Sequence, residues 1–260
     1  MSSTSLVGIE GLRGKLAIVT GATGAIGSAI VKYLADDGLD IALLDLDQDK
    51  LDAAATATAG GSGVTARGYR CNVASKAECS AVCTRIKDDF GRGADVLVNV
   101  AGILSNNKLL QCDEEEWRRI HSVNLDSAFF LSQEVVPDMK ERRWGRIVNI
   151  TSYAWKSGGR TSGTAYSSSK AAMVGLTFAV AKEVAEFGVT CNGIAPCYVM
   201  TKMVTDQLTE EQRRSQLEAI PVRRFAQPEE VAHAVRFLVS PMSAFITGEI
   251  LDMNGGFQMD

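Results

Sequence analysis

Basic residues are too few, and too scattered, for this chain to read a polyanion. Lys and Arg total 27 against 31 Asp and Glu, giving a formal charge of -4, and no basic block is present that could follow a phosphate backbone. Nucleic acid is therefore not expected as a partner. Histidine is scarcer still, with only His121 and His233 available as imidazole ligands. The six cysteines, Cys71, Cys79, Cys83, Cys112, Cys191 and Cys197, form no C-x-x-C pair. That removes the usual zinc-ligand spacing and leaves free, reduced thiols as the expectation, with no metal. No stretch approaches eighteen uninterrupted apolar residues, and residues 1–14 lack the positively charged start and apolar run of an export signal. A cytoplasmic protein with no membrane contact is expected. Neither an internal repeat nor a low-complexity linker is visible.

What is present is an alternation. Short apolar runs recur at 15–20, 40–45, 64–70, 95–100, 146–151, 189–195 and 249–253. Segments with helical spacing lie between them, near 25–37, 48–58, 75–90, 114–142, 165–187 and 228–239. Runs that are apolar throughout suit strands buried on both faces, so the pattern predicts an α/β fold, doubly wound, with a seven-stranded and mostly parallel sheet. "ATAGGSG" (57–63) reads as a turn. One domain over 15–260, preceded by an extension of residues 1–14, accounts for the chain.

The first strand runs through Gly21, Gly24 and Gly27 into a helix. Without Cβ atoms such a turn can be tight, and its backbone N–H groups can approach a pyrophosphate at the helix N-terminus. Asp45 ends the next strand, where a carboxylate can accept hydrogen bonds from a ribose 2'-hydroxyl and would repel a 2'-phosphate. Neither Gly24 nor Leu46 brings a positive charge, so NAD is expected in preference to NADP. Further along, Tyr166 and Lys170 stand four apart and share a helix face. A nearby ammonium favours a phenolate, and a phenol so tuned can exchange protons near neutral pH. Ser152 ends a predicted strand, at the edge where open α/β sheets bind ligands.

These parts occur in a known order. With "TGATGAIG", "NVAG" at 99–102, "VNL" holding Asn124, Ser152, "YSSSK" and "APCYVMT", residues 15–256 resemble the short-chain dehydrogenases/reductases in their short, Rossmann-type form. The resemblance implies Tyr166 as general acid/base and Lys170 on the nicotinamide ribose, lowering the tyrosine pKa. It also implies Ser152 on the substrate oxygen and Asn124 positioning a water. The cofactor contacts it implies are Gly21, Thr23, Gly24, Ile26, Gly27, Asp45, Leu46, Asn72, Val73, Asn99, Ala101, Gly102, Tyr166, Lys170, Pro196, Val199 and Thr201. The interval from Ser152 to Tyr166 is fourteen, one longer than the family's usual spacing, and Thr151 is the alternative to Ser152.

Residues 202–227 are expected to form a substrate lid, and Leu104, Tyr153, Trp155, Tyr198 and Met203 are candidates to line the pocket. The activity expected first is an NAD-dependent dehydrogenase of a polyol, sugar-derived or other small secondary alcohol. A 3-oxoacyl-[acyl-carrier-protein] reductase stands second: Arg142 and Arg143 could meet an acidic carrier, while Phe187 occupies a place where another basic residue would help. A non-catalytic redox sensor is the remote third reading. Family resemblance implies a homotetramer that pairs the helices near 114–142 and 165–187 and the carboxyl-terminal segments.

Overall fold

The computed structural model describes residues 9–201 and 209–259. Its strands are β1 (Leu16–Thr20), β2 (Asp40–Asp45), β3 (Ala66–Arg70), β4 (Val96–Asn99), β5 (Gly145–Ile150), β6 (Val189–Pro196) and β7 (Ile250–Met253). They form one sheet in the order β3-β2-β1-β4-β5-β6-β7, and every pairing is parallel. The apolar runs make strands because successive side chains point to opposite faces and both faces are covered. In β1, Ala17 and Val19 enter one core while Leu16 and Ile18 enter the other. Ile41 and Leu43 divide from Ala42 and Leu44 in the same way along β2.

Helices α1 (Ala25–Asp36), α2 (Gln48–Ser62), α3 (Lys76–Phe90), α4 (Glu114–His121), α5 (Ser127–Arg142), α6 (Ala154–Ser157), α7 (Thr164–Val184), α8 (Glu210–Ala219) and α9 (Pro228–Val239) complete the described residues. The first core gathers Ile30 and Leu34 of α1 with Val231, Val235 and Leu238 of α9. The second gathers Val82 and Ile86 of α3, Leu131, Val135 and Met139 of α5, and Ala181 and Val184 of α7. Leu12 is fully buried in the first core, so residues 9–14 pack with the domain.

Several boundaries differ from those predicted. The turn expected at 57–63 is the end of α2, which runs to Ser62 and stops where Gly63 turns left-handed at φ 69°. The span 114–142 is not one helix: a π turn at Ser122–Asp126 separates α4 from α5. Met203 and the start of the expected lid lie outside the described residues. The lid's later part contains α8, a helix not foreseen, whose start is fixed by a capping box between Thr209 and Gln212.

A buried ion pair joins α1 to α9. Arg236 donates Nε to Asp37 Oδ2 at 2.6 Å and a terminal nitrogen to Oδ1 at 2.7 Å, while Ile9 N–H adds a third hydrogen bond to Oδ1. Removing the carboxylate takes two charge-assisted hydrogen bonds from a buried guanidinium. Asp37→Ala should therefore cost about 3–5 kcal/mol in urea unfolding, and adding Arg236→Met to it should recover part of that loss.

Candidate active site

The strand order reverses between β1 and β4, and a crevice opens there beyond the carboxyl ends of the strands. Thr20 Oγ1 holds both banks together, accepting hydrogen bonds from Val100 N at 2.9 Å and Ala101 N at 3.0 Å. The glycine turn sits on one bank. Gly21 adopts φ +60°, and a Cβ on Gly27 would lie 2.1 Å from Gly21 O, so the turn closes only without side chains. Helix α1 then begins at Gly24 with no side-chain cap and no acidic residue in its first turn. By contrast, Asp47, Ser75 and Asp113 cap α2, α3 and α4. A diphosphate fits this start: uncapped N–H groups and an unopposed helix dipole face the crevice.

Asp45 stands at the end of β2 beside that turn. Its Oδ2 accepts from Thr23 N at 3.0 Å and Thr23 Oγ1 at 2.6 Å, and its Oδ1 accepts from Leu46 N at 2.8 Å. Arg70, paired with Asp45 in the ladder of β2 and β3, donates Nε to Leu46 O at 3.2 Å. A guanidinium thus reaches the rim of the ribose position, a cation that sequence reasoning missed. Both residues end predicted strands, so matching the two strand ends would have revealed it. Asn72 is exposed, its N–H donating to Glu78 and its Oδ1 accepting from Ala74 N. Val73 is buried against the second core, whereas Leu46 is exposed.

Ser152, Tyr166 and Lys170 line one cleft, together with Ile26, Gly102, Pro196, Val199 and Thr201. Tyr166 and Ser152 share this cleft closely enough for the Ser152 side chain to act on the Tyr166 phenol, and Ser152 Oγ accepts from Ala154 N at 3.2 Å. Lys170 is buried and donates Nζ to Ile150 O at 2.7 Å. Thr151, the alternative to Ser152, also borders the cleft, but its hydroxyl is engaged, donating Oγ1 to Ile194 O at 2.9 Å. Asn124, fully buried in the π turn, accepts from Ile103 N at 2.8 Å and donates to Ile103 O at 2.9 Å and Ser169 Oγ at 3.1 Å. A Cβ on Gly102 would lie 3.3 Å from Asn124 Oδ1 and 3.5 Å from Lys170 Nζ, so both polar atoms border the same small space.

Electrostatics differ from the sequence expectation. Burial pushes the Tyr166 phenol above its ordinary range, and the opposing influence is the Ser152 hydrogen bond rather than Lys170. Burial brings Lys170 down to about 8. Loss of hydration disfavours each charged form, and the ammonium spends its hydrogen bond on a backbone carbonyl. Asn99 departs as well: its amide donates to Asn149 Oδ1 at 2.8 Å inside the sheet, so it shapes the cleft only through the residues that follow it. Of the lining candidates, Leu104, Tyr153 and Tyr198 face the cleft, and Trp155 does not. Two cleft features went unforeseen: Arg160 on its wall, and Lys108, which donates to Gly159 O at 2.9 Å and Ser162 O at 2.6 Å.

A parallel sheet reversing beside a glycine turn, with tyrosine, serine and lysine in one cleft, defines a dinucleotide-dependent oxidoreductase fold. The chain belongs to the short-chain dehydrogenase/reductase family and is an enzyme that uses a nicotinamide dinucleotide to interconvert a CH–OH group and a carbonyl. The family model described as "Enoyl-(Acyl carrier protein) reductase" matches residues 21–258. The 3-oxoacyl-[acyl-carrier-protein] reductase FabG of Vibrio cholerae is 41% identical over 254 residues, covering 95% of this chain and 99% of that protein. The protein of the same name from Aquifex aeolicus is 37% identical, with 94% and 98% covered. Nodulation protein G of Azospirillum brasilense is 37% identical, with 93% and 97% covered.

These relatives overturn the expectation of a polyol or small-alcohol dehydrogenase. That expectation leaned on Asp45, which stands beside the glycine turn and not among the residues lining the cleft of Ser152 and Tyr166, so it carries no information about the substrate. The cleft itself agrees with the correction, since Val100 and Leu104 add apolar wall and no carboxylate among the described residues lines it to bind successive hydroxyls. Nor does a non-catalytic sensor survive the family assignment. No helix among the described residues is long and apolar enough to cross a membrane.

Proposed function

We propose that this protein reduces the 3-oxo group of an acyl thioester borne on an acyl carrier protein. The observation that carries the substrate class is near-complete, 34–41% identity to several proteins named as 3-oxoacyl carrier-protein reductases. The cleft supports it with an apolar wall for an acyl chain and the Ser152–Tyr166 pair for the carbonyl.

When bound, the reduced dinucleotide supplies the hydride. Its diphosphate would lie at Gly21–Gly27, its adenosine ribose at Asp45 and its nicotinamide ribose at Lys170. The chain's own groups manage the substrate oxygen. As negative charge develops there, the Ser152 hydroxyl donates a hydrogen bond and the Tyr166 phenol gives its proton. Lys170 and Asn124 border the space through which a water can return that proton. The raised phenol pKa suits this direction, because an acid must still hold its proton at neutral pH in order to donate it.

Asp45 supports NAD as the preferred form, since its carboxylate repels a 2'-phosphate. Arg70 is the specific observation that favours some use of NADPH, because its guanidinium reaches Leu46 O beside that carboxylate and brings a positive charge there. The protein is further proposed to assemble as a cytoplasmic homotetramer through α5, α7 and the carboxyl-terminal segment, where Phe129, Phe178 and Phe245 are exposed. Arg142 is spent on Ala94 O and Asp95, and Arg143 on Glu186 O. Lys140 lies 4.6 Å from the Phe187 ring and supplies the cation that Phe187 lacks. This patch sits at the amino end of β5, opposite the cleft, so a carrier docked there would serve the cleft of another copy.

Four outcomes are expected. A 3-oxoacyl thioester should be reduced by the wild type, and Tyr166→Phe should lower kcat about 100-fold or more without loss of dinucleotide binding, the scale of a positioned acid. The rate of reduction should hold at neutral pH and fall above about pH 8, where Lys170 loses its charge; a rate that climbs through that range removes both residues from these roles. In steady-state kinetics, Asp45→Ala should narrow the preference for NADH over NADPH, and Arg70→Gln should widen it; ratios unmoved by both reject the ribose assignment. Sedimentation should show four copies, and a monomer contradicts the assembly.

A further inference from the structure

The loop after α6 is built to present one side chain. Gly158 and Gly159 both take left-handed conformations, at φ +68° and +81°, and a Cβ on Gly159 would lie 2.1 Å from Ser167 Oγ. Glycine is therefore required at the second position. Lys108 bridges the carbonyls of Gly159 and Ser162. Gly163 N–H donates to Ser105 O at 2.6 Å and Thr164 N–H to Asn107 O at 3.0 Å. Between these anchors stands Arg160, exposed, on the wall of the same cleft as Ser152 and Tyr166.

Its guanidinium lies 4.9 Å from the Phe257 ring centroid, and a cation–π contact of that kind limits the positions it samples. Phe257 is itself held edge-on against Tyr153, at 5.3 Å between ring centroids, while Tyr153 donates its hydroxyl to Gln258 Oε1 at 2.7 Å. Among the described residues no carboxylate pairs with Arg160. Asp252, the carboxylate that acts on the same Tyr153, is taken by Lys156 at 2.5 Å. Lys170, the other cation of the cleft, is committed to Ile150 O. A positioned guanidinium that meets no carboxylate among the described residues, on a cleft wall where they place no acid, is an oxyanion receptor.

We propose that Arg160 is a substrate-binding residue whose guanidinium holds an oxyanion of the substrate at the mouth of the cleft. This deepens the reading of a carrier-bound 3-oxoacyl substrate and rests on it for the first of two sources, the phosphate of the carrier arm; the second source is the carboxylate of a free 3-oxo acid. A neutral ketone of the same length binds less well because it leaves the guanidinium unmatched.

The test uses two pairs of substrates, each matched except for one charge. The first is the 3-oxobutanoyl thioester of 4'-phosphopantetheine against that of pantetheine, and the second is acetoacetate against its methyl ester. For the pair bearing the relevant anion, the ratio of kcat/KM, charged over neutral, should fall about tenfold in Arg160→Gln and be largely restored in Arg160→Lys, the scale of one charge-assisted hydrogen bond. Each ratio is taken within one variant, so partial unfolding cancels. The affected pair identifies the source of the oxyanion. Ratios unchanged in both pairs overturn the assignment, and thioesters still reduced in that case leave the function standing. Acetoacetate turnover with an Arg160-dependent ratio, and no thioester turnover by the wild type, upholds Arg160 and removes the carrier-bound substrate.

Discussion

One contact sets the register of the chemistry: the Lys170 ammonium on the Ile150 carbonyl, 2.7 Å long and shut away from water. It fixes α7 against the last residue of β5. One helical turn earlier on the same face lies Tyr166, and two residues further along the strand exit lies Ser152, so anchoring the lysine brings the two hydroxyls together. The contact is costly in hydration, which is why it lowers the lysine pKa. It is tolerated because a carbonyl at the strand end, having no further strand partner to satisfy, needs a donor. The same arrangement draws in Asn124, whose amide braces the Ile103 backbone and reaches Ser169 on α7.

The glycine turn and the Ser152–Tyr166 cleft are built from different residues. Asp45, Thr23 and Arg70 gather beside the turn and are absent from the cleft lining, so nothing they do constrains the group being reduced. The wrong turn from an acidic ribose contact to a polyol substrate came from treating the two as one decision. What bears on the substrate is the lining around Ser152 and Tyr166, and that lining emerges only once separate segments of the chain have converged.

Much of the architecture could be read directly because the sheet is buried on both faces, which writes each strand as an unbroken apolar run. The ends of β2 and α9 were legible to the residue, the latter through proline and acidic residues at its start. The Tyr166–Lys170 spacing was equally plain, since four residues make one helical turn. Less visible were features set by packing. The π turn at Ser122–Asp126 inserts an extra residue in a stretch whose composition is ordinary helix. The Gly60–Gly61 pair reads as a break, yet α2 continues through it because neither position meets a neighbour and the left-handed stop falls at Gly63. Asn99 fits a cofactor motif but spends its amide on Asn149, a partner fifty residues away. Arg160 carries no motif at all, and its meaning comes from a ring at the other end of the chain.

That ring has a consequence for how such a protein diversifies. Because Phe257 and Gln258 buttress Tyr153 and Arg160, two residues remote in sequence from Ser152 and Tyr166 support the entrance wall. Neither belongs to a strand or a helix. Selection can therefore retune which molecules are admitted by editing these two positions, with the sheet and its helices left as they are.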